Sequence, residues 1–218
     1  MTVAERQLPP APDFEKPLPV GLRMSEEEFI RWYTFEGKAE WVDGEVIVMP
    51  PVSGEHEDVQ WWLKSLLKFY ADERKLGVVR GPQFVMRLQF GSGRRKVSRR
   101  EPDILFIAAS RGHLLKPNHL EGSPDLALEI VSPESQTRDR RQKYLEYESA
   151  GVREYWIVDP LSQTVEAYAR QGETFVEITE IEGKLASSVV PGWYLRPAWL
   201  WQQPRVDVRV ALAELGVK

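Results

Sequence analysis

Asp103 follows a proline at the head of an apolar run, Ile104-Leu105-Phe106-Ile107, and Glu129 stands 26 positions later inside a second run, Leu126-Ala127-Leu128-Glu129-Ile130-Val131. A carboxylate inside a sheet costs several kcal/mol unless it is paired or binds a cation. Two such acids in two core strands predict a metal site. Lys143, 14 positions after Glu129, falls on what reads as the next helix and adds one ammonium. With no cysteine and no paired-histidine spacing, an all-oxygen pocket suits Mg2+ or Mn2+ rather than zinc. Such an ion lowers the pKa of a bound water and stabilises charge building on phosphorane oxygens. The plainer alternative is two solvated acids, with Lys143 on a charged helix face beside Arg138, Arg140, Arg141 and Glu146.

The elements needed to bring these residues together are present. From Glu129 to Ser132 an extended chain rises ~10 Å, and from Ser135 to Lys143 a helix travels back ~12 Å. A helix packed antiparallel on its preceding strand returns Lys143 to the level of Glu129. Asp139, Lys143 and Tyr147 then share one helix face at i, i+4 and i+8. Ser132 and Ser135 are candidate N-caps, and Ala150-Gly151 is the stop.

Upstream, Ser25 with Glu28 three positions on predicts a capping box opening a short helix. Glu40 to Met49 predicts two strands around the Asp43-Gly44 turn. Val59, Trp62, Leu63, Leu66, Leu67 and Tyr70 recur at threes and fours, an amphipathic helix over about 54–74. Strands are expected at 78–80 and 84–90, a linker at 91–100, and a polar loop at 111–124. Glu154 to Asp159 is a further strand, followed by a β meander over 164–187 and a short helix over about 206–215. Five prolines within residues 1–22 favour an extended arm. The expected organisation is an arm over 1–22, one domain over 23–190, and a C-terminal tail over 191–218 that offers a dimer contact.

A length of 218 residues allows one sizeable domain. The net charge of −4 gives no overall basic character, so nucleic-acid affinity must come from a local patch. Arg94, Arg95, Lys96, Arg99 and Arg100 supply five positive charges within seven residues just before Asp103. They either hold a phosphate backbone or form a solvated loop. Absent cysteines fit a reducing compartment, and no apolar stretch reaches the ~20 residues of a membrane span, so a cytoplasmic protein is expected.

Glu40 either approaches the site from its hairpin or pairs with a lysine. His56, near the start of the long helix, either contacts phosphate or is structural. Trp193, Trp199 and Trp201 suit packing or a dimer contact better than base stacking.

Pro102-Asp103, then Glu129-Ile130-Val131, then Lys143 resembles the PD-(D/E)XK nuclease superfamily, with the lysine moved from strand to helix. Within it, the block Glu129 to Ser135, Asp139, Lys143, Tyr147, Gly151-Val152 and Glu154 to Pro160 is similar to the bacterial Uma2 ("Uma-two") family of restriction-endonuclease-like proteins, as are the Glu40–Glu45 hairpin and His56. The resemblance spans about 25–159. It implies an α/β fold, a restriction-endonuclease-like mixed β-sheet flanked by helices with the added antiparallel meander, and often a homodimer. It also implies Mg2+ or Mn2+ held by Asp103, Glu129 and the Ile130 carbonyl, with Lys143 as catalytic lysine and Glu40, His56, Asp139 and Tyr147 supporting metal or substrate. The expected activity is metal-dependent endonucleolytic hydrolysis of DNA, with RNA as another substrate. Val131 stands where the superfamily's strand lysine usually does. That departure keeps open a catalytically inactive nucleic-acid-binding or protein-interaction module on the same fold, and a phosphohydrolase of small nucleotides.

Overall fold

The computed structural model describes residues 7–132 and 138–217. Ser25 closes a full capping box: its hydroxyl accepts from the Glu28 N–H, and the Glu28 carboxylate accepts from the Ser25 N–H. This starts α1 (Glu26–Trp32). The expected hairpin follows as β1 (Lys38–Val42) and β2 (Glu45–Met49), with Asp43 and Gly44 both at positive φ as a two-residue turn requires. α2 (Gly54–Glu73) buries Val59, Trp62, Leu63, Leu66, Leu67 and Tyr70, the stripe its spacing predicts.

The next strands are β3 (Gly77–Arg80), β4 (Val85–Phe90), β5 (Lys96–Arg100) and β6 (Ile104–Ala108). β5 corrects the linker expected over 91–100. It pairs with both β4 and β1 and buries Ser98 and Arg100 on alternate positions, a polar alternation that an apolar search passes over. The loop expected over 111–124 holds a short strand, β7 (His119–Glu121). Then come β8 (Leu126–Ile130), a wide π-helical turn over Arg138–Lys143 running into α3 (Tyr144–Ala150), and β9 (Glu154–Asp159). The N-cap expected at Ser135 lies outside the described residues.

Two sheets result. The smaller runs β2-β1-β5-β4-β7. The larger runs β11-β10-β9-β8-β6-β3, with β10 (Thr164–Gln171) and β11 (Thr174–Glu177) extending it as the antiparallel meander. β8 and β9 pair in parallel while β6 and β8 pair antiparallel, so the sheet is mixed. The third expected meander strand leaves this sheet: β12 (Leu185–Ala186) pairs with β13 (Tyr194–Leu195).

Burial on both faces explains the near-continuous apolar runs of β6 and β8. Leu126, Leu128 and Ile130 pack toward α2, and Ala127 and Val131 pack with Tyr147 and Tyr155 on the other face. Glu129 shares the face of Ala127 and Val131, as strand alternation requires.

The C-terminal segment completes the core on the α2 side. Trp193 and Trp199 are buried there, α4 (Pro197–Trp201) and α5 (Val208–Glu214) follow, and Trp62 donates to the Val206 carbonyl at 2.7 Å. Trp193 and Trp199 are spent on packing within the chain.

Candidate metal centre

In the antiparallel register of β6 and β8, Ile104 faces Leu128. One position further out, Asp103 comes level with Glu129. The Ile130 N–H donates to Asp103 Oδ2 at 2.8 Å, which ties the carboxylate to the neighbouring strand. Both acids are almost wholly buried, at 3% and 1% exposure, and both line a cavity of about 490 Å³ with His56, Ile130, Asp139 and Lys143. The wide turn of Arg138–Lys143 delivers Lys143, whose Nζ lies 2.9 Å from Glu129 Oε1, 3.1 Å from Asp139 Oδ1 and 3.5 Å from Glu40 Oε1. Tyr147 donates to the same Glu129 oxygen at 2.7 Å. The structure thus brings together Asp103, Glu129, Lys143, Glu40, His56, Asp139 and Tyr147.

Several partners went unnoticed in the sequence. Lys38 Nζ lies 3.1 Å from Asp103 Oδ1, and the Gln60 amide donates to that oxygen at 3.2 Å. Lys38 precedes Glu40 by two along one strand, and Gln60 follows His56 by four along one helix, so the strand and helix periods were the signals available. Glu146 is the third. With Glu40 it brackets the buried Arg100, at 2.8 Å to Glu40 and 2.5 Å to Glu146.

Arg100 therefore corrects its expected place in a DNA-contacting run: at 2% exposure between two glutamates it faces the interior. Arg99 is bound to Glu26 at 2.9 Å. Arg94 and Arg95, on the turn between β4 and β5, and Lys96, at the start of β5, are exposed, with Arg94 3.3 Å from Asp43.

The electrostatics separate the acids. Burial alone would raise Asp103, but Lys38, His56 and the Ile130 N–H outweigh it and hold the carboxyl well below its usual range. Glu40 is likewise raised by burial yet held low by Lys143, Arg100 and Lys38. Glu129 goes the other way, to about 7: burial is the main cause, Asp103 and Asp139 add to it, and Lys143 and Lys38 oppose it. Lys143 is lowered by burial, but Asp139, Glu129 and Glu40 more than reverse that and keep it an ammonium.

These residues fit a hard divalent cation. Two carboxylates and a carbonyl-bearing strand line one cavity, and no thiolate is present. Among the described residues no three His, Cys, Asp or Glu side chains converge as a cluster. Mg2+ is commonly held by one or two carboxylates, with water and phosphate oxygens completing the shell.

Comparison with known proteins gives this geometry a context. The family described as "Uma2: Putative restriction endonuclease" matches residues 26–198. The chain belongs to the Uma2 family. Among similar proteins, an uncharacterised protein of Synechocystis is 26% identical over 152 residues, covering 68% of this chain and 81% of its own length. A crystal structure from Anabaena variabilis, described as a "putative nuclease belonging to DUF820", superposes with a TM-score of 0.66 at 21% identity. The match covers 84% of this chain and 98% of that one, so the two share a fold. The Uma2 match spans Asp103, Glu129 and Lys143 and ends within α4. No helix among the described residues of this Uma2 chain is long and apolar enough to cross a membrane.

Proposed function

We propose that this chain is a divalent-metal-dependent endonuclease that hydrolyses phosphodiester bonds in DNA. The observation that carries the reading is the pairing of Asp103 and Glu129 in one cavity with a buried Lys143 ammonium 2.9 Å from Glu129. Asp103, Glu129 and the Ile130 carbonyl would hold Mg2+ or Mn2+. The ion would supply a more acidic bound water and charge stabilisation on the phosphoryl oxygens.

Lys143, kept protonated by its three acids, cannot act as a base in that state. It orients the attacking water and offsets negative charge on the phosphorus centre. Tyr147 fixes Glu129, and Asp139 holds Lys143 in place. In the reaction a P–O bond forms to the water oxygen as the P–O bond to the leaving sugar oxygen breaks. The proton lost by water passes to solvent, and the leaving oxygen takes one up. Arg94, Arg95 and Lys96 are the exposed cations available to the DNA backbone. In this reading the protein works in the cytoplasm, and cutting both strands calls for a homodimer with two such sites.

The test is nicking of supercoiled plasmid with Mg2+ or Mn2+ by wild type, Asp103→Ala, Glu129→Ala and Lys143→Ala. Loss in all three supports the assignment, whereas cleavage that survives all three overturns it.

One observation favours a second reading, a binding module without turnover. Lys38 and Lys143 already neutralise the two carboxylates, as structural ion pairs would. That reading predicts no thermal stabilisation by Mn2+.

A further inference from the structure

A second cavity, of about 600 Å³, adjoins the first across Lys38 and Asp103, which line both. Its lining includes Glu101, a residue with 1% exposure whose two carboxyl oxygens have no hydrogen-bond partner among the described residues. The Glu101 N–H is bound to Glu40 Oε1 at 3.0 Å, which fixes the backbone but leaves the side chain unanswered. Tyr33 lies within hydrogen-bonding influence of the Glu101 carboxyl, but its single hydroxyl proton is donated to the Gly37 carbonyl at 2.8 Å. Leaving such a group unmade is costly, and in native proteins it calls for an explanation such as a ligand.

The shape of the vacancy narrows that ligand. Burial pushes the Glu101 carboxyl up to about 7, and two N–H donors side by side favour its ionised form, in which both oxygens accept. Among nucleobases only guanine carries adjacent donors, N1–H and the N2 amino group, on its Watson–Crick edge. Adenine and cytosine set one amino donor beside an acceptor, and thymine sets one N–H between two carbonyls. The remaining wall suits a flat base: the Phe14 ring, Pro51, Val52 and Pro82 are apolar. The oxygens are buried in this conformation, so the base meets them as the side chain turns outward into the cavity.

We propose that this cavity is a guanine subsite, read by Glu101, for the nucleotide next to the phosphate held at Asp103 and Glu129. The position beside the cleaved bond rests on the endonuclease reading; recognition of the base does not. A Watson–Crick edge is free only in an unpaired or flipped base, so the subsite assigns single-stranded or locally opened nucleic acid as substrate.

The experiment is an NMR titration, without metal, of the wild-type protein with the monophosphates of deoxyguanosine, deoxyadenosine, deoxycytidine, thymidine and deoxyinosine. Deoxyguanosine monophosphate is expected to bind about tenfold more tightly than the others, the discrimination typical of a bidentate contact. Deoxyinosine, which lacks the amino group, joins the weak binders. Glu101→Gln, which presents one acceptor and one donor, shifts the preference toward adenine and cytosine. Equal binding of all five, binding of none, or a guanine preference unchanged in Glu101→Gln would overturn the subsite. The inosine comparison decides the matter on the wild type alone if that variant does not fold. A guanine preference without plasmid nicking would sink the endonuclease reading and leave the subsite standing.

Discussion

Lys143 Nζ lies 2.9 Å from Glu129 Oε1, and the two side chains are each 2% exposed, so a fully buried ion pair stands where the chemistry is proposed. Removing the cation leaves Glu129 and Asp139 as buried acids without their nearest ammonium, while Glu40 keeps Arg100. Lys143→Ala should lose about 3–5 kcal/mol of stability together with any nicking. Urea denaturation measures the first. A loss under 1 kcal/mol, on the order of an exposed pair, would contradict the burial.

Arg100 is the structural counterpart. It bridges Glu40 and Glu146 without lining the metal cavity. Arg100→Ala should cost a similar ~3–5 kcal/mol, visible as a lower urea midpoint, and Arg100→Met less because its packing is partly kept. Lost DNA affinity in a variant of undiminished stability would instead return Arg100 to the surface.

Glu129 sets a pH dependence. Its folded pKa, about 7, lies above the ordinary 4.5. Its contribution to metal-free stability is therefore complete below about pH 4.5 and lost as pH rises through about 7. A cation takes the deprotonated form, so the rise in Tm on adding Mn2+ should be small at pH 6 and grow toward pH 8. Glu129→Gln should flatten both trends. A Mn2+ effect independent of pH would rule out Glu129 as the titrating ligand.

The exposed turn offers a separate test. Replacing Arg94, Arg95 and Lys96 together by serine should reduce the slope of log affinity against log salt for DNA by about 2–3, roughly one per phosphate contact. Arg99→Ser should change stability through Glu26 rather than this slope. Fluorescence anisotropy across a salt series distinguishes the two.

The sequence shows the large sheet plainly because burial on both faces writes apolar runs at β6 and β8, against which Asp103 and Glu129 stand out. Spacing alone also places Lys143 near Glu129, although the turn that carries it is wider than the helix assumed in that arithmetic. β5 is hidden because its inward residues are Ser98 and Arg100, so the sheet period appears in polar side chains. Lys38, Gln60 and Glu146 are hidden for a related reason. Each is an ordinary charged or amide residue whose meaning comes from a partner far along the chain, as Lys38 and Asp103 are, 65 positions apart.

The three acids on Lys143 come from separate places: Glu40 from the smaller sheet, Glu129 from the larger one, and Asp139 from the turn that carries the lysine. Only the Asp139 contact lies within one segment; the other two together need both sheets. The pocket is complete only when the two sheets are docked, and a chain still emerging from the ribosome, or one half unfolded, holds its acids apart. For a protein whose proposed substrate is DNA, completion of the fold is itself the safety catch.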